Sequence, residues 1–165
     1  MSHTAILADI LTADYADPAH AAAITGLLDA YAQDPMGGGK PLSAHARECL
    51  VPELAARRNS LTLLAYLNAQ PVGLVIAFEG FSTFACAPLL NLHDIVVLPE
   101  ARGRGIARAM MAHAEAIARD RGCCKLTLEV LSGNQPARAA YENFGFRQYA
   151  LDPAKGQALF FEKPL

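Results

Sequence analysis

The sequence has no apolar run that approaches about 20 residues, so it offers no candidate for a membrane-spanning helix. It also lacks an excess of basic residues, since the formal net charge at pH 7 is −2. Nucleic acid is therefore not expected as a main partner, because such binding depends on Lys and Arg contacts to phosphates. The first residues carry no cationic start, and Asp9 interrupts the short apolar stretch beside them, so no signal peptide is predicted.

The few cysteines form no recognisable framework. Cys49, Cys86, Cys123 and Cys124 show neither zinc-site spacing nor a disulfide pattern, and four reduced thiols suggest the cytoplasm. No metal is predicted. The chain has 165 residues, of which 53% are hydrophobic and 18% are charged. These values predict a globular chain that folds as one domain, residues 1–165.

The clearest chemical signal is the stretch Arg102 to Ala107, which reads Arg-Gly-Arg-Gly-Ile-Ala. It stands between an apolar run, residues 92–98, and a long helical pattern. A strand that turns through glycines into a helix directs free backbone N–H groups and the positive end of the helix dipole to one place, which suits a phosphate. Two other phosphate motifs fail, because the dinucleotide fingerprint needs glycine at Arg108 and the Walker motif needs glycine at Asp34.

The remaining pattern, Arg/Gln-x-x-Gly-x-Gly/Ala, resembles the signature of the GNAT superfamily of acyl-CoA-dependent N-acyltransferases. A second pattern, Asn134-x-x-Ala137-x-x-x-Tyr141-x-x-x-Gly145-Phe146, lies downstream where that family carries its asparagine and tyrosine. Two spaced patterns in the right order are more specific than either alone. The resemblance covers residues 89–146 and is compatible with the rest of the chain.

The predicted element order is β-α-α-β-β-β-α-β-α-β-β, an α/β fold of the α+β type with a mixed sheet and helices on both faces. The predicted strands are residues 4–11, 61–67, 72–81, 89–98, 125–131, 146–151 and 158–163. The first predicted helix runs from the cap Asp17 to Gln33, and the second runs from Ser43 to Arg57 or Arg58 with a kink or break at Pro52. The third runs from Ile106 to a stop at Gly122, and the fourth is a short helix ended by Gly145. The resemblance implies the same order, with a mostly antiparallel sheet splayed at the cofactor strand.

The loop of residues 34–41 contains three consecutive glycines and cannot be regular structure. It is either a plain connection between helices or a segment that contacts the acceptor. A second apolar connection, residues 81–88, either lines a pocket or only covers the core.

The resemblance implies that the chain binds acetyl-CoA as co-substrate. In the family, backbone groups of the splayed strand bind the pantetheine arm, the glycine loop cradles the pyrophosphate, and the asparagine assists. The corresponding residues here are Ile95, Val96, Val97, Arg102, Gly103, Arg104, Gly105, Ile106, Ala107, Arg108 and Asn134.

Tyr141 resembles the general acid that protonates the departing thiolate in that family. A phenol can donate a proton at neutral pH. The competing interpretation is structural, because Ala137, Tyr141 and Phe144 are spaced as an ordinary core stripe of a helix. The spacing from Asn134 favours the acid role, although Asn134 can also serve as a helix cap.

A protonated amine must lose a proton before it can attack, so a base or a water chain is needed. Glu129 lies five residues before Asn134, where some family members have a glutamate base. His93 lies nine residues before Arg102, where polyamine-type members have a glutamate. Each can instead be an ordinary strand residue, in which case ordered water removes the proton.

The sequence thus predicts an N-acetyltransferase that moves an acetyl group from acetyl-CoA to a primary amine of a small molecule or peptide. The alternative is a non-catalytic acyl-CoA-binding module with a regulatory role. Neither nucleic acid nor membrane is expected as a partner. A homodimer is compatible with the predicted terminal strands.

Overall fold

The computed structural model describes residues 8–165. Its strands are β1 (Asp9–Thr12), β2 (Ser60–Leu67), β3 (Gln70–Ser82), β4 (Ala87–Val97) and β5 (Leu126–Thr127). Its helices are α1 (Pro18–Gln33), α2 (Ala44–Ala56), α3 (Ile106–Asp120) and α4 (Gln135–Phe144), with short 3-10 turns at Pro99–Ala101 and Pro153–Lys155. Residues 4–7 of the first predicted strand lie outside the described part. The predicted mixed α/β class is confirmed.

The five strands form one sheet in the order β1-β2-β3-β4-β5. The pairs β1–β2, β2–β3 and β3–β4 are antiparallel, and the pair β4–β5 is parallel. The long apolar β2 and β3 sit centrally, so side chains from both of their faces are buried. The sheet therefore separates two hydrophobic clusters, one on each face.

Helices α1 and α2 cover one face, where Ile24, Leu27 and Leu54 meet Leu74 and Val96. Pro52 lies inside α2, which continues past it to Ala56. Ser43 caps this helix through its side chain, as the sequence predicts.

Helix α3 covers the opposite face, with Met110, Met111 and Ala114 fully buried against Leu90 and other residues of the sheet. Residues of α4 pack at the edge of the same cluster. The two helical layers are thus an α1–α2 layer and an α3–α4 layer, which lie on opposite faces of the sheet.

A β-bulge in β4 reverses which face its residues present. Ile76 pairs with Asp94 and the next residue, Ala77, pairs with Leu92, so His93 is the extra residue on β4. Before the bulge Leu92 packs with the α3 cluster, and after it Val96 packs with the α1–α2 cluster. Asp94 shares the parity of Val96 and therefore lies on the α1–α2 face.

The parallel pairing of β4 with β5 is short. Only Leu90 and Asn91 pair with Leu126 and Thr127, although the alternating sequence predicts a strand over residues 125–131. Val130 and Leu131 are 39% and 61% exposed. An alternating sequence indicates a strand that can bury one face. The strand forms only where a neighbouring strand supplies hydrogen bonds, and β4 stops supplying them to β5 near its bulge at His93. Beyond Asn91, β4 has a strand neighbour on its β3 side alone among the described residues, so the sheet is open there. We call this edge the β4 opening.

The predicted final strand pair, residues 146–151 and 158–163, is not formed, so the sheet has five strands where the sequence order predicts seven. Leu151, Leu159, Phe160 and Phe161 are 73–83% exposed. A two-residue β5 offers too short an edge to extend the sheet, because strand pairing needs a continuous row of backbone partners. The apolar composition of these segments alone does not create one.

Within residues 8–165 no helix is both long and apolar enough to cross the membrane. The same residues contain no group of three or more His, Cys, Asp or Glu side chains arranged to hold a metal ion.

Candidate active site

The chain turns from β4 into α3 through two glycines in the left-handed region. Gly103 has φ +75° and Gly105 has φ +78°. No protein atom lies within 4 Å of a Cβ built at either position, so the backbone conformation, not protein crowding, demands glycine here. Gly105 caps α3 without any side-chain hydrogen bond. The first N–H groups of α3 are thus not taken by a capping side chain, which is the arrangement an anion needs.

The residues around this turn differ in what they can offer an anion. Ile106 is buried at 3% exposure, so only its backbone can face the loop, and Ala107 follows it in the first turn of α3. Arg104 is exposed. The Arg108 guanidinium donates to the carbonyl of Asn143 at 3.2 Å and lies over the Phe144 ring.

Arg102 is also held by protein groups. Its Nε donates to the Val97 carbonyl at 3.0 Å and its Nη2 donates to the Asp34 carboxylate at 3.1 Å. The glycine turn thus lies between β4 and α3, while two of the three predicted arginines, Arg102 and Arg108, donate to protein groups.

The backbone of β4 faces the β4 opening at alternate residues. The Leu98 N–H donates to the Val72 carbonyl at 2.9 Å, toward β3. Because backbone groups alternate in direction along a strand, those of Val96 also point toward β3, whereas those of Ile95 and Val97 point to the opening. For two of the three predicted pantetheine contacts, the backbone groups therefore face the β4 opening.

Tyr141 lies on α4, whose first turn is fixed by Asn134. The Asn134 side chain accepts a hydrogen bond from the Ala137 N–H at 3.3 Å. The Tyr141 ring makes an edge contact with Phe146, at a centroid distance of 6.1 Å. Burial, with a smaller contribution from Tyr31, raises the pKa of Tyr141 to about 12. This phenol therefore keeps its proton at neutral pH.

Tyr31 and Tyr141 come from opposite faces of the sheet and yet lie within electrostatic reach of each other. Tyr31 packs with the α1–α2 cluster and Tyr141 with the α3 cluster. The pKa of Tyr31 is raised by burial, then by the carboxylates of Asp94 and Asp34. A continuous sheet would keep such side chains apart, because layers on its two faces stand about 10 Å from it. Side chains from the two faces are expected to influence each other only beside an interruption of the sheet, and the β4 opening is such an interruption.

Asp94 completes this group from β4 itself. Burial raises the pKa of its carboxyl group, and the neighbouring His93 opposes that effect when it is charged. Neither Tyr31 nor Asp94 is predicted as a site residue from the sequence. Tyr31 fits the apolar stripe of α1, and the bulge that turns Asp94 to the α1–α2 face leaves no sequence signal. An acidic residue inside the apolar run of residues 92–98 was the one available clue.

The two predicted bases lie at different places. His93 is exposed at the bulge, with its ring at 5.5 Å from that of Phe78 in an edge contact. Glu129 is exposed just beyond β5, and its carboxylate accepts from the Asn91 Nδ2 at 3.3 Å and 3.4 Å. Asn91 also donates to the Thr127 hydroxyl at 3.1 Å, which fixes the amide where β4 and β5 part. Glu129 thus stands at the start of the β4 opening.

With this geometry in place, the comparison with known families is decisive. The family model described as the acetyltransferase (GNAT) family matches residues 26–146.

The chain belongs to the acetyltransferase (GNAT) family.

A streptothricin acetyltransferase from Streptomyces lavendulae is 43% identical over 82 residues, which cover 50% of this chain and 43% of that protein. The matched segments cover 43% to 60% of the first three curated relatives. A probable acetyltransferase of known structure superposes with a TM-score of 0.78 at 22% identity, covering 94% of this chain and 99% of the other. An aminoglycoside N-acetyltransferase in complex with CoA gives 0.73 at 17% identity, covering 96% and 95%. The structural matches show the GNAT fold.

Proposed function

We propose that this GNAT domain transfers an acetyl group from acetyl-CoA to a primary amine. The observation that carries the proposal is the glycine turn from β4 into the N-terminus of α3, which no side chain caps, next to the β4 opening. A protonated phenol, a carboxylate and exposed strand backbone there provide a proton donor, a polar environment for an amine and a track for an extended cofactor. Family membership and the named acetyltransferases among the relatives support the same activity.

The donor set fits coenzyme A. Gly103, Gly105 and the N-terminus of α3, which no side chain caps, suit a pyrophosphate. The backbone groups of Ile95 and the N–H of Val97 suit an extended arm, since the Val97 carbonyl already accepts from Arg102. Bound acetyl-CoA would supply the acyl group as a thioester. Arg104 would add positive charge beside the phosphates, while Arg102 and Arg108 shape the loop and its contact with α4.

In the proposed reaction, Tyr141 gives its proton to the sulfur as the C–S bond breaks. A free amine forms the new C–N bond and then loses a proton. Glu129, His93 or an ordered water accepts the proton that the ammonium must release before attack. The Val97 N–H is the candidate donor for the carbonyl oxygen on which negative charge develops. Overall, an ammonium ion and a thioester give an amide, a thiol and one proton.

We propose a small cationic amine as the acceptor. Asp94 and Glu129 place carboxylates on either side of the bulge in β4, and an ammonium ion is attracted by both. The relatives named for streptothricin and for aminoglycosides are consistent with an acceptor rich in amino groups.

The test is calorimetric titration with acetyl-CoA followed by a thiol-release assay over a panel of primary amines. The proposal predicts saturable binding and release of CoA with at least one cationic amine. Binding without release for any amine in the panel would instead support a regulatory acyl-CoA-binding module, and absence of binding would refute the reading of the glycine loop.

A further inference from the structure

Asp34 organises the whole turn that follows α1. Its N–H donates to the Tyr31 carbonyl at 2.9 Å, closing the helix. Its carboxylate accepts from the Met36 N–H at 2.9 Å, and its carbonyl accepts from the N–H groups of Gly37 and Gly39 at 2.8 Å and 3.1 Å. The first half of the glycine-rich loop is therefore tied to this single residue. The other end of the loop is fixed separately, because the Leu42 N–H donates to Asp29.

The second oxygen of the Asp34 carboxylate reaches across the molecule to Arg102. The ion pair measures 3.1 Å and joins residues 68 positions apart in sequence. The same guanidinium donates to the Val97 carbonyl at 3.0 Å. Because a guanidinium is planar with donors in fixed directions, the two contacts through Nε and Nη2 restrain its plane. Arg102 thus bridges the end of β4 and the α1–α2 loop.

The loop in turn rests on Tyr31. A Cβ at Gly37 would lie 1.9 Å from the Tyr31 carbonyl oxygen and 3.2 Å from its ring. A shift of the loop must therefore move Tyr31 or open a gap beside it. Tyr31 itself packs against the α1–α2 cluster, which includes Val96 of β4. The contacts therefore lead from Arg102 through Asp34 and the loop to Tyr31 beside the cofactor strand.

We infer that Asp34 and Arg102 form a positioning pair that sets Tyr31 and the α1–α2 loop relative to the cofactor strand, and that the Arg102 side chain is not a phosphate ligand. The inference rests on the proposed function and deepens it, because it assigns the glycine-rich loop to the acceptor side of the site. The pair acts through Tyr31 on the amine. Its loss therefore affects acceptor kinetics more than acetyl-CoA affinity.

Two variants and their combination isolate the pair. Asp34→Asn keeps an oxygen for the Met36 N–H but replaces the carboxylate oxygen that faces Arg102. Arg102→Ala removes the bridge from the other side. If the two residues act as one unit, the double variant is no worse than either single variant, since nearby coupled residues are not additive. Glu53→Gln is the matched control, because it breaks an exposed carboxylate–arginine pair, Glu53 with Arg57, at the C-terminal end of α2.

The readouts are kcat/KM for the amine, the Kd of acetyl-CoA by calorimetry and amide hydrogen exchange of residues 34–41. We expect each single variant and the double variant to lower kcat/KM by about tenfold, in line with loss of one charged hydrogen bond. We also expect faster exchange across the loop and a Kd for acetyl-CoA within about twofold of the wild-type value. Glu53→Gln should change none of the three.

Two results would overturn the inference. One is that Arg102→Ala weakens acetyl-CoA binding whereas Asp34→Asn leaves it unchanged. That result would make Arg102 a phosphate ligand. The other is unchanged exchange of residues 34–41 in both variants. If the wild-type protein binds acetyl-CoA but turns over no amine, the proposed function fails, while the exchange and binding data still decide for or against the pair.

Discussion

The cofactor side of the candidate site is one continuous piece of chain, whereas the acceptor side collects side chains from three elements. From β4 through Gly103 and Gly105 into α3, the proposed cofactor contacts are mainly backbone groups whose directions follow from local conformation. The proposed acceptor-side residues Tyr31, Asp94 and Tyr141 instead come from α1, the bulged β4 and α4, so their arrangement depends on tertiary packing. Changes on the first side should alter binding and stability, and changes on the second should alter turnover.

The largest effect is expected from Tyr141→Phe, which removes the proposed proton donor and keeps the ring. We expect kcat to fall by about 100-fold or more, because general acid catalysis contributes on that order. The Kd of acetyl-CoA should stay within about twofold. The assays are thiol release and calorimetric titration.

The control for this variant is Tyr149→Phe, because the Tyr149 side chain is 59% exposed. It should leave both values unchanged. Since burial raises the pKa of Tyr141 to about 12, the wild-type kcat should not fall through loss of this proton as the pH rises to 10. Unaltered turnover in Tyr141→Phe would contradict the acid role and indicate that Tyr141 is a structural core residue.

Asp94→Asn is expected to have the next largest effect, and to change amine kinetics and thermal stability in opposite directions. Loss of the carboxylate should lower kcat/KM for a cationic amine by about tenfold, as for a lost charged hydrogen bond. Burial raises the pKa of Asp94, so the ionised form costs stability above that pKa, and the cost disappears as the pH falls toward 4. The variant should therefore melt at a higher temperature than the wild type at pH 7 and lose that advantage at low pH.

Glu100→Gln serves as the comparison for Asp94→Asn, because Glu100 is exposed just after the same strand. It should change neither the amine kinetics nor the pH dependence of melting. Equal amine kinetics in Asp94→Asn and the wild type would remove Asp94 from the acceptor side.

Gly105→Ala probes the cofactor side through the backbone. At φ +78° an alanine costs about 1–2 kcal/mol, so we expect a loss of about 1 kcal/mol in unfolding free energy and several-fold weaker acetyl-CoA binding. Gly122→Ala imposes a similar cost at the other end of α3, where φ is +71°, and should leave the Kd unchanged. Denaturant melts and calorimetry measure the two quantities. Equal Kd values for both variants would contradict a cofactor loop at Gly105.

The smallest expected effect is a gain. Gly26 is exposed within α1 and a Cβ there meets nothing within 4 Å. Gly26→Ala should raise the unfolding free energy by about 0.5–1 kcal/mol, because alanine loses less backbone entropy than glycine on entering a helix. Kinetics with acetyl-CoA and amine should not change. A loss of activity would show that α1 must flex during turnover.

The contrast between the two sides also explains what the sequence could predict. The glycine turn, the caps at Ser43 and Asn134, and the long strands β3 and β4 are encoded by neighbouring residues, and the predictions for them hold. The β-bulge at His93 depends on how β3 and β4 pair, and no local pattern reveals it. The Asp34–Arg102 contact likewise has no local pattern, because it joins residues 68 positions apart in sequence.

The strand predictions that differ share one physical cause. Residues 125–131 alternate and residues 158–163 are apolar, but both patterns describe only what a strand could bury. Whether a strand forms also depends on a partner edge, and the pairing of β5 ends after Thr127. The periodicity of a segment does not predict whether a partner strand is available to it.

The most direct test is an NMR titration with acetyl-CoA. The protein carries labelled tyrosine rings, and the chemical shifts of its five tyrosines are measured. The account predicts that the ring signals of Tyr31 and Tyr141 shift together on binding. Tyr149, which is exposed, and Tyr15, which is held by the hydroxyls of Ser60 and Thr62, should keep their positions. Shifts confined to other tyrosines, or no shifts despite calorimetric binding, would contradict a cofactor site at the β4 opening.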